Sequence, residues 1–285
     1  MKEFEYFKPK SLMEALELAE NFKENKRFLA GGTDLIVRLK DNLINEENLI
    51  DIKEIEELKG IYEKENEIEI GPLVTFSEII ESSILNRYSP LLVLASKKVA
   101  SPQIRNKGTI GGNICNASPA GDSIPPLYCE EAKFVLKSKN GERVVDIENF
   151  FLGPGKTAIK ENEILYKIVI KKWSENEIGF FNKLGQRNAL TISIASNCVK
   201  IKKEGEKILD IKIALGSVSP TVVRAKRVEE EILNSKSLNE DAIFKISSLV
   251  SNEIDPITDV RGTREYRIEV SKYLLFESLI YLLKM

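Results

Sequence analysis

The sequence predicts an α+β protein with two domains, divided near residue 175. Helical and strand periodicities alternate through the first part of the chain. A polar stretch, Trp173 to Glu177, then precedes a part in which three strand patterns are followed by three helix patterns. The 285 residues are enough for two domains of ordinary size. We therefore expect one domain over residues 1–175 and a smaller α+β domain over residues 176–285.

The first domain is expected to begin with a helix, a strand, a tight turn and a second helix. Ser11 and Glu14 form a capping-box pattern ahead of apolar residues at helical spacing. Residues 27–30 have the pattern of a short buried strand, and residues 31–34 make a glycine-containing turn before a helix that starts near Leu35. Further strands are predicted over residues 48–52 and 68–70, and further helices after Thr75 and over residues 91–99.

Residues 101–126 have a different composition, because four glycines and four prolines fall within them. We expect a long shaped loop here, since both residue types disfavour a regular helix and a central strand. A hairpin is predicted around residues 139–141, followed by a strand over residues 164–170. In the second domain the predicted strands cover residues 178–184, 191–202 and 207–215, and the predicted helices cover residues 228–233, 241–250 and 266–283.

Composition excludes several classes of function. A net charge of −2 does not produce the strong positive field that attracts nucleic acid or acidic lipid. The absence of His removes Ser-His-Asp and Cys-His catalysis and most catalytic zinc sites. Three Cys without C-x-x-C spacing cannot supply the four thiolates of an iron-sulfur cluster, so no metal site is predicted in this chain. No apolar leader or membrane-length apolar run is present, which predicts a cytoplasmic protein without a membrane partner. Any redox or hydrolytic chemistry is expected to depend on a bound cofactor.

Two glycine-rich segments are the most informative motifs. The first glycine segment, residues 29–35 (LAGGTDL), lies between a predicted strand and a predicted helix; the second glycine segment, residues 108–122, reads GTIGGNICNASPAGD. Backbone amides at glycines can approach a phosphate closely because no Cβ intervenes. Either segment alone is equally well explained as a tight turn, but the two together favour a diphosphate site.

Neither segment matches a standard nucleotide motif. No G-x-G-x-x-G follows a strand, which disfavours a Rossmann site. Residues 153–157 (GPGKT) end like a Walker A loop, but Phe150 stands where that motif requires glycine, and the run before it is too short for a P-loop strand. We therefore expect no ATP site.

The two glycine segments occur in the same order and spacing in a known family. The agreeing residues are AGGTDL at 30–35, TIGGN at 109–113, NASPAGD at 116–122 and PPL at 125–127, with further agreement from FLGPGKT at 151–157, EIL at 163–165, FNK at 181–183 and YR at 266–267. On these residues the sequence resembles, over essentially its whole length, the FAD-binding subunit of the molybdenum hydroxylase family, which includes xanthine and carbon monoxide dehydrogenases.

The resemblance implies a fold and a cofactor. The fold is an FAD-binding domain of the vanillyl-alcohol oxidase and p-cresol methylhydroxylase type, in which FAD extends between two α+β subdomains, followed by a flavoprotein C-terminal domain. The FAD is expected to be noncovalent, because a chain without His cannot attach flavin through His. Val99 stands where some members of the family place an aromatic residue that shields the flavin ring, and this departure concerns the NAD pocket more than the FAD site.

The resemblance also implies the residues that bind FAD. Asp122 is expected at the adenosine ribose or a nearby polar edge, Leu165 near the adenine and Lys183 on the flavin side; taken alone, Asp122 could equally stabilise a turn and Lys183 could be a solvated surface amine. The residues expected to wrap the pyrophosphate are Phe28, Leu29, Ala30, Gly31, Gly32, Thr33, Asp34 and Leu35, and those expected to form the second loop are Thr109, Ile110, Gly111, Gly112 and Asn113.

The implied function is that of an electron-transfer subunit. A molybdopterin-binding catalytic subunit would oxidise the organic substrate, a 2Fe-2S subunit would deliver electrons to FAD in this chain, and NAD+ or another acceptor would receive them. The flavin would carry the chemistry, so no catalytic side chain is predicted. Two alternatives stay open at the level of sequence: a stand-alone flavin-dependent oxidoreductase of the same fold, and a non-catalytic scaffold subunit.

Overall fold

The computed structural model describes residues 3–44, 47–187, 191–235 and 237–284. An N-terminal part contains a small parallel sheet and a larger antiparallel sheet, and a C-terminal part contains one antiparallel sheet packed against helices. Most of the C-terminal part has its own apolar core, but Phe181, Cys198 and Ala214 join the main core of the N-terminal part. The two parts therefore share a buried apolar interface.

The N-terminal strands and helices follow the predicted order. Ser11 caps the first helix by accepting from the Glu14 N–H at 3.3 Å. The Glu14 carboxylate accepts from the Lys10 N–H at 2.7 Å instead of closing the predicted capping box on Ser11. The elements are β1 (Glu5–Phe7), α1 (Leu12–Phe22), β2 (Arg27–Leu29), α2 (Leu35–Lys40) and β3 (Asn48–Asp51), with the three strands parallel in the order β1-β3-β2.

A five-stranded antiparallel sheet forms the centre of the N-terminal part. Ile70, Phe134 and Ile168 on this sheet and Ile79 and Leu91 on the helices are buried in one core. The hairpin predicted at residues 139–141 is confirmed, and so is the helix predicted after Thr75, which begins with a capping box of Thr75 and Glu78. The strands are β4 (Ile61–Glu63), β5 (Glu67–Ile70), β6 (Lys133–Ser138), β7 (Gly141–Asp146) and β10 (Ile164–Lys171), in the order β4-β5-β10-β6-β7; the helices are α3 (Phe76–Glu81), α4 (Ser83–Tyr88) and α5 (Pro90–Lys98).

The expectation of a long loop over residues 101–126 is wrong. Three short helices occupy this region: α6 (Pro102–Arg105), α7 (Ile110–Asn116) and α8 (Ile124–Cys129). Pro102 and Pro125 lie in the first turn of their helices, where a backbone N–H has no helical partner to lose. Ser101 and Thr109 cap the ends of α6 and α7. The prolines and glycines therefore mark helix starts here.

Residues 151–157 form a two-stranded hairpin, with β8 (Phe151–Gly153) paired to β9 (Lys156–Thr157). The N–H of Gly155 at its tip donates to the Ala117 carbonyl oxygen at 3.0 Å. No helix follows the GPGKT sequence, and the next element is the strand β10. This confirms that the sequence is not a Walker A loop, because that motif requires a helix directly after it.

The C-terminal part contains the three strands and three helices that were predicted, together with a short fourth strand. Leu275, Leu279 and Leu282 on the last helix are buried with Val199 and Ile213 of the sheet. The second strand starts four residues later than predicted, because residues 191–194 belong to the connection before it. The elements are β11 (Glu177–Leu184), β12 (Ala195–Glu204), β13 (Lys207–Gly216), β14 (Val223–Arg224), α9 (Lys226–Asn234), α10 (Glu240–Ser248) and α11 (Arg264–Leu283), and the antiparallel sheet has the order β11-β12-β13-β14. Among the described residues, none of the helices is both long and apolar enough to cross a membrane.

A buried carboxylate lies where the two parts of the chain meet. Glu130, directly after α8, accepts from the Ser89 hydroxyl at 2.7 Å and from the Trp173 indole N–H at 3.2 Å. The ammonium of Lys200 on β12 lies 4.9 Å from the centre of the Trp173 ring and pairs with Glu177 at 2.8 Å. Burial raises the pKa of Glu130 to about 7, although Ser89, Lys200 and Trp173 oppose this rise.

The raised pKa of Glu130 makes stability depend on pH. A carboxyl whose pKa is higher in the folded than in the unfolded state stabilises the fold most below its unfolded value, and this contribution is lost as pH rises through the folded value. We expect the free energy of unfolding to fall by about 3 kcal/mol between about pH 5 and pH 8, at about 1.4 kcal/mol per pKa unit. Glu130→Gln keeps an acceptor for Ser89 and Trp173 without the charge and should remove this loss. Urea unfolding across this pH range tests the expectation, with Glu148→Gln, an exposed carboxyl, as the control. A wild-type pH slope in Glu130→Gln would contradict it.

Candidate functional site

The first glycine segment forms a turn between β2 and α2 with an unusual row of free donors. Gly32 has a φ of +72°, a left-handed conformation that favours glycine. The first helical bond runs from the Ile36 N–H to the Gly32 carbonyl oxygen at 3.1 Å. Within the part of the chain that the structure describes, the N–H groups of residues 31–35 donate to no protein acceptor. This turn is therefore equipped to bind an anion.

The two glycine segments touch through their backbones. A Cβ placed on Gly31 would lie 2.0 Å from the Lys107 carbonyl oxygen and 3.0 Å from the Gly108 Cα. No side chain fits in this gap, so glycine at position 31 is what allows the first segment to lie against the start of the second. The two motifs that the sequence predicted to act together are therefore brought into direct contact.

The second glycine segment uses its N–H groups differently from the first. Thr109 caps α7 by accepting from the Gly112 N–H at 3.1 Å. The N–H groups of Ile110, Gly111 and Asn113 donate to the carbonyl oxygens of Val74, Pro72 and Thr109 at 2.9, 2.9 and 3.0 Å. The expectation that both segments offer free backbone amides therefore holds only for the first. In the described chain, the Asn113 side-chain amide donates to no protein acceptor and is the second segment's clearest donor for a ligand.

Close packing explains why Gly111 is glycine. A Cβ at position 111 would lie 2.4 Å from the Pro72 Cβ, so glycine lets α7 lie directly against the chain before α3. Gly112 faces the other way and is exposed, and a Cβ there would meet only the Thr109 hydroxyl, at 2.9 Å. Gly111 therefore holds the helix in place, whereas Gly112 leaves its outer surface open.

Asp122 and Lys183 form a buried ion pair that joins the two parts of the chain. The Lys183 ammonium donates to Asp122 Oδ2 at 2.5 Å and to the Lys98 carbonyl oxygen at 3.1 Å, and the Ser193 hydroxyl donates to Asp122 Oδ1 at 2.7 Å. Burial raises the pKa of Asp122, while Lys183 and Ser193 oppose the rise. The alternative that Lys183 is a solvated surface amine is wrong, because its side chain is 7% exposed.

Most of the other predicted site residues have apolar side chains that pack in the protein core. Leu165 is buried in the main core beside β6, in the same cluster as Ile110 and Ile114. Asp34 and Thr33 are at least partly accessible, and Asp34 lies 3.8 Å from Arg38. Phe28 and Ala30 pack against one small core and Leu29 and Leu35 against another. These apolar residues therefore place the backbone of the turn and have little side-chain surface left for a ligand.

Sequence reasoning missed several residues that build this region. Pro72 contacts Gly111, Lys107 contacts Gly31, and Ser193 contacts Asp122. Each contact joins positions far apart in the chain, and no local pattern at any of the three residues signals it. Among the described residues no group of three or more Cys, Asp and Glu is placed to hold a metal ion. A surface groove between β11 and α11, lined by Phe180, Asn182, Phe276, Glu277, Ile280, Tyr281 and Lys284, contains none of the predicted site residues.

The fold and the site together define a class of protein. An α+β chain carries a glycine turn whose five successive N–H groups donate to no acceptor in the described residues, a second glycine segment against it and a buried ion pair beside that segment. Successive N–H groups at the start of a helix suit the oxygens of a diphosphate. The site is therefore suited to a ligand with a diphosphate, such as a dinucleotide.

Comparisons with known proteins identify the family. Residues 2–173 match the family described as the FAD binding domain in molybdopterin dehydrogenase, and residues 181–282 match the CO dehydrogenase flavoprotein C-terminal domain. The glyceraldehyde dehydrogenase medium chain of Sulfolobus acidocaldarius is 36% identical and covers 97% of both chains. The xanthine dehydrogenase FAD-binding subunit of Escherichia coli O157:H7 is 31% identical over 93% of this chain and 91% of that protein. The solved carbon monoxide dehydrogenase of Hydrogenophaga pseudoflava superimposes with a TM-score of 0.94 at 33% identity, over 98% of this chain and 96% of that one.

The chain belongs to the family of FAD-binding subunits of molybdenum hydroxylases, and its cofactor is FAD. The resemblance inferred from the glycine segments and the predicted fold class are both confirmed. The residues present fit this cofactor, because FAD carries a pyrophosphate and the first glycine segment offers a row of N–H groups that, among the described residues, donate to no protein acceptor.

Proposed function

We propose that this chain is the electron-transfer subunit of a cytoplasmic molybdenum hydroxylase. It accepts electrons from a 2Fe-2S partner subunit and passes them to NAD+ or another acceptor, while a molybdopterin-binding subunit oxidises the organic substrate. The observation that carries the proposal is the row of N–H groups at residues 31–35, which donate to no acceptor among the residues that the structure describes and are held against the second glycine segment. The names of the relatives support the partners, since "medium chain" describes one chain of an enzyme with several.

The residues of this chain bind and orient the cofactor. The N–H groups of residues 31–35 would donate to the pyrophosphate oxygens, while Gly31 lets this turn lie against the second glycine segment and Gly32 adopts its left-handed conformation. In the second segment, Thr109 and Gly111 hold α7 in place, and the Asn113 amide and the exposed surface of Gly112 face the ligand. Asp122 and Lys183 would lie at the edge of the site, and Leu165, whose side chain is buried in the main core, would contribute a backbone or packing contact near the adenine. Bound FAD supplies the redox chemistry, which agrees with a chain that contains no His and no predicted catalytic side chain.

The proposed division into two domains lies near residue 175. Two observations support this boundary: the polar stretch from Trp173 to Glu177, and the start of the C-terminal sheet at β11. The two family matches end at residue 173 and begin at residue 181, on either side of it. The buried contacts of Glu130 with Trp173 and of Asp122 with Lys183 then join two domains that assemble tightly.

We expect the purified chain to bind one FAD without a covalent bond. Reconstitution with FAD should give flavin absorption that dithionite bleaches, and acid precipitation should release the flavin into the supernatant. Bleaching by NADH would support NAD+ as the acceptor. The controls are protein unfolded before reconstitution and free FAD carried through the same desalting. A chain that stays colourless would contradict the proposal, and full turnover of an organic substrate by the isolated chain would favour the stand-alone oxidoreductase.

Electron transfer from the iron-sulfur subunit to this chain must be tested in the assembled complex. Stopped-flow reduction of the complex by its organic substrate should reduce the flavin of this chain after the iron-sulfur centres. Complex rebuilt with FAD-free chain should reduce those centres at the normal rate and then pass no electrons to NAD+. Normal NAD+ reduction without FAD would contradict the proposed role.

A further inference from the structure

A single buried guanidinium connects the last helix to two loops of the C-terminal sheet. Arg267 on α11 is 2% exposed. Its Nη1 donates to the Ile194 carbonyl oxygen and to the Ser217 carbonyl oxygen, the latter at 3.0 Å. Its Nη2 donates to Asp259 at 2.7 Å. The planar fork of arginine suits this role because it directs several donors in fixed directions.

Both loops held by Arg267 also contact the second glycine segment. Beside Ile194, the Ser193 hydroxyl donates to Asp122 at 2.7 Å. The Ser217 N–H donates to the Pro119 carbonyl oxygen at 2.8 Å. Arg267 therefore contacts Ser217 directly and contacts the neighbour of Ser193, and these two serines bind the segment at positions 119 and 122. Its own side chain does not touch that segment in any described hydrogen bond.

The loop conformations depend on this support. Ser217 has a φ of +65°, which is costly for a residue other than glycine and persists only where neighbouring contacts hold it. The contacts that hold it are its N–H bond to Pro119 and its carbonyl bond from Arg267. Asp259 compensates the buried charge of Arg267. Although burial opposes it, hydrogen bonds from Arg261 and Arg267 hold the pKa of Asp259 well below its usual range, so Asp259 stays ionised.

We propose that Arg267 is a positioning residue of the FAD site. It fixes Ser193 and Ser217 so that they hold residues 119–122, and with them the Asp122–Lys183 pair, at the edge of the cofactor site. This rests on the proposed binding of FAD beside the second glycine segment. The role differs from simple stabilisation of the C-terminal domain, because it predicts that FAD is released faster from a chain that is still folded.

The test measures FAD release from the full reconstituted chain. Wild type, Arg267→Lys, Ser193→Ala and the double variant are diluted, and the return of free-flavin fluorescence gives the dissociation rate. Lysine keeps the charge beside Asp259 but cannot reach both carbonyl oxygens. We expect about tenfold faster release for Arg267→Lys and several-fold faster release for Ser193→Ala, from the loss of hydrogen bonds to buried groups. Arg261→Gln is the matched control: it also removes a partner of Asp259, but neither loop carbonyl is its acceptor, so release should stay at the wild-type rate.

The outcomes separate this inference from the proposed function. A wild-type chain that binds no FAD contradicts the proposed function itself. Wild-type release rates in folded Arg267→Lys, or a lower melting temperature without faster release, would overturn the positioning role. If Arg267→Lys does not fold, the FAD release rate of Ser193→Ala tests the inference instead. A wild-type release rate in Ser193→Ala would overturn it. In the double variant, fully additive effects of Arg267→Lys and Ser193→Ala on FAD release would also contradict the positioning role. Two residues that act through the same contact should show coupled effects.

Discussion

Gly31→Val should abolish FAD retention while the chain stays folded. A Cβ at position 31 would lie 2.0 Å from the Lys107 carbonyl oxygen, so the first glycine segment must move away from the second. That movement displaces the N–H groups of residues 31–35, which are the free donors for the pyrophosphate. We expect FAD affinity to fall about a hundredfold or more, as for overpacking that displaces backbone. FAD content after desalting, measured by absorption, and far-UV circular dichroism test the loss and the fold separately.

The matched control for Gly31→Val is Gly205→Ala. Gly205 lies in the turn between β12 and β13 with a φ of +58°, and a Cβ there would meet nothing within 4 Å. The change should cost about 1 kcal/mol of backbone strain and leave FAD content unchanged. Full FAD content in Gly31→Val would mean that the pyrophosphate does not bind at the first glycine segment.

Breaking the ion pair between Asp122 and Lys183 should destabilise the chain strongly. Asp122→Asn leaves the buried ammonium of Lys183 without its anion, and Lys183→Met leaves the Asp122 carboxylate without its cation. Each single change should cost about 3–5 kcal/mol, because an unpaired charge stays buried. The double variant carries no unpaired charge, and its Asn can still accept from Ser193, so most of the lost stability should return. Urea unfolding of the four proteins gives the coupling energy between the two positions.

The same four proteins test whether these side chains contact FAD. If Asp122 and Lys183 bind the cofactor directly, the double variant should recover stability but still retain FAD poorly. Recovery of both stability and FAD retention would contradict the assignment of these two residues to the site. The exposed pair of Lys226 and Glu148, 3.0 Å apart, gives the control, since its loss should cost about 1 kcal/mol or less.

Much of the fold could be predicted from local patterns. Helix α1, the turn after β2 and the hairpin of β6 and β7 each have a cap, a glycine or an alternation of residues within a few positions. Residues 101–126 misled the prediction because proline and glycine break helices only in their interiors. At a helix start the missing N–H costs nothing, and at Gly111 the missing side chain permits close packing.

The candidate site could be predicted only in part. The two glycine segments are visible as motifs, and the family resemblance connects them to FAD. The occupied N–H groups of α7 are not visible, because their acceptors on Val74 and Pro72 lie in a distant part of the sequence. Nor are the contacts of Ser193 with Asp122 and of Arg267 with Ser217, which arise only when the two parts of the chain assemble.

The contacts of residues 119–122 also determine when the FAD site can be completed during synthesis of the chain. Asp122 leaves the ribosome well before its partners Lys183 and Ser193, and Arg267, which holds the loop beside Ser193, is made later than all three. Until then the second glycine segment lacks the residues that hold it from the C-terminal side. At about 5–20 residues per second, several seconds separate these events. We therefore expect the nascent chain to acquire stable FAD binding only after Arg267 has left the ribosome, and not when the two glycine segments have been made.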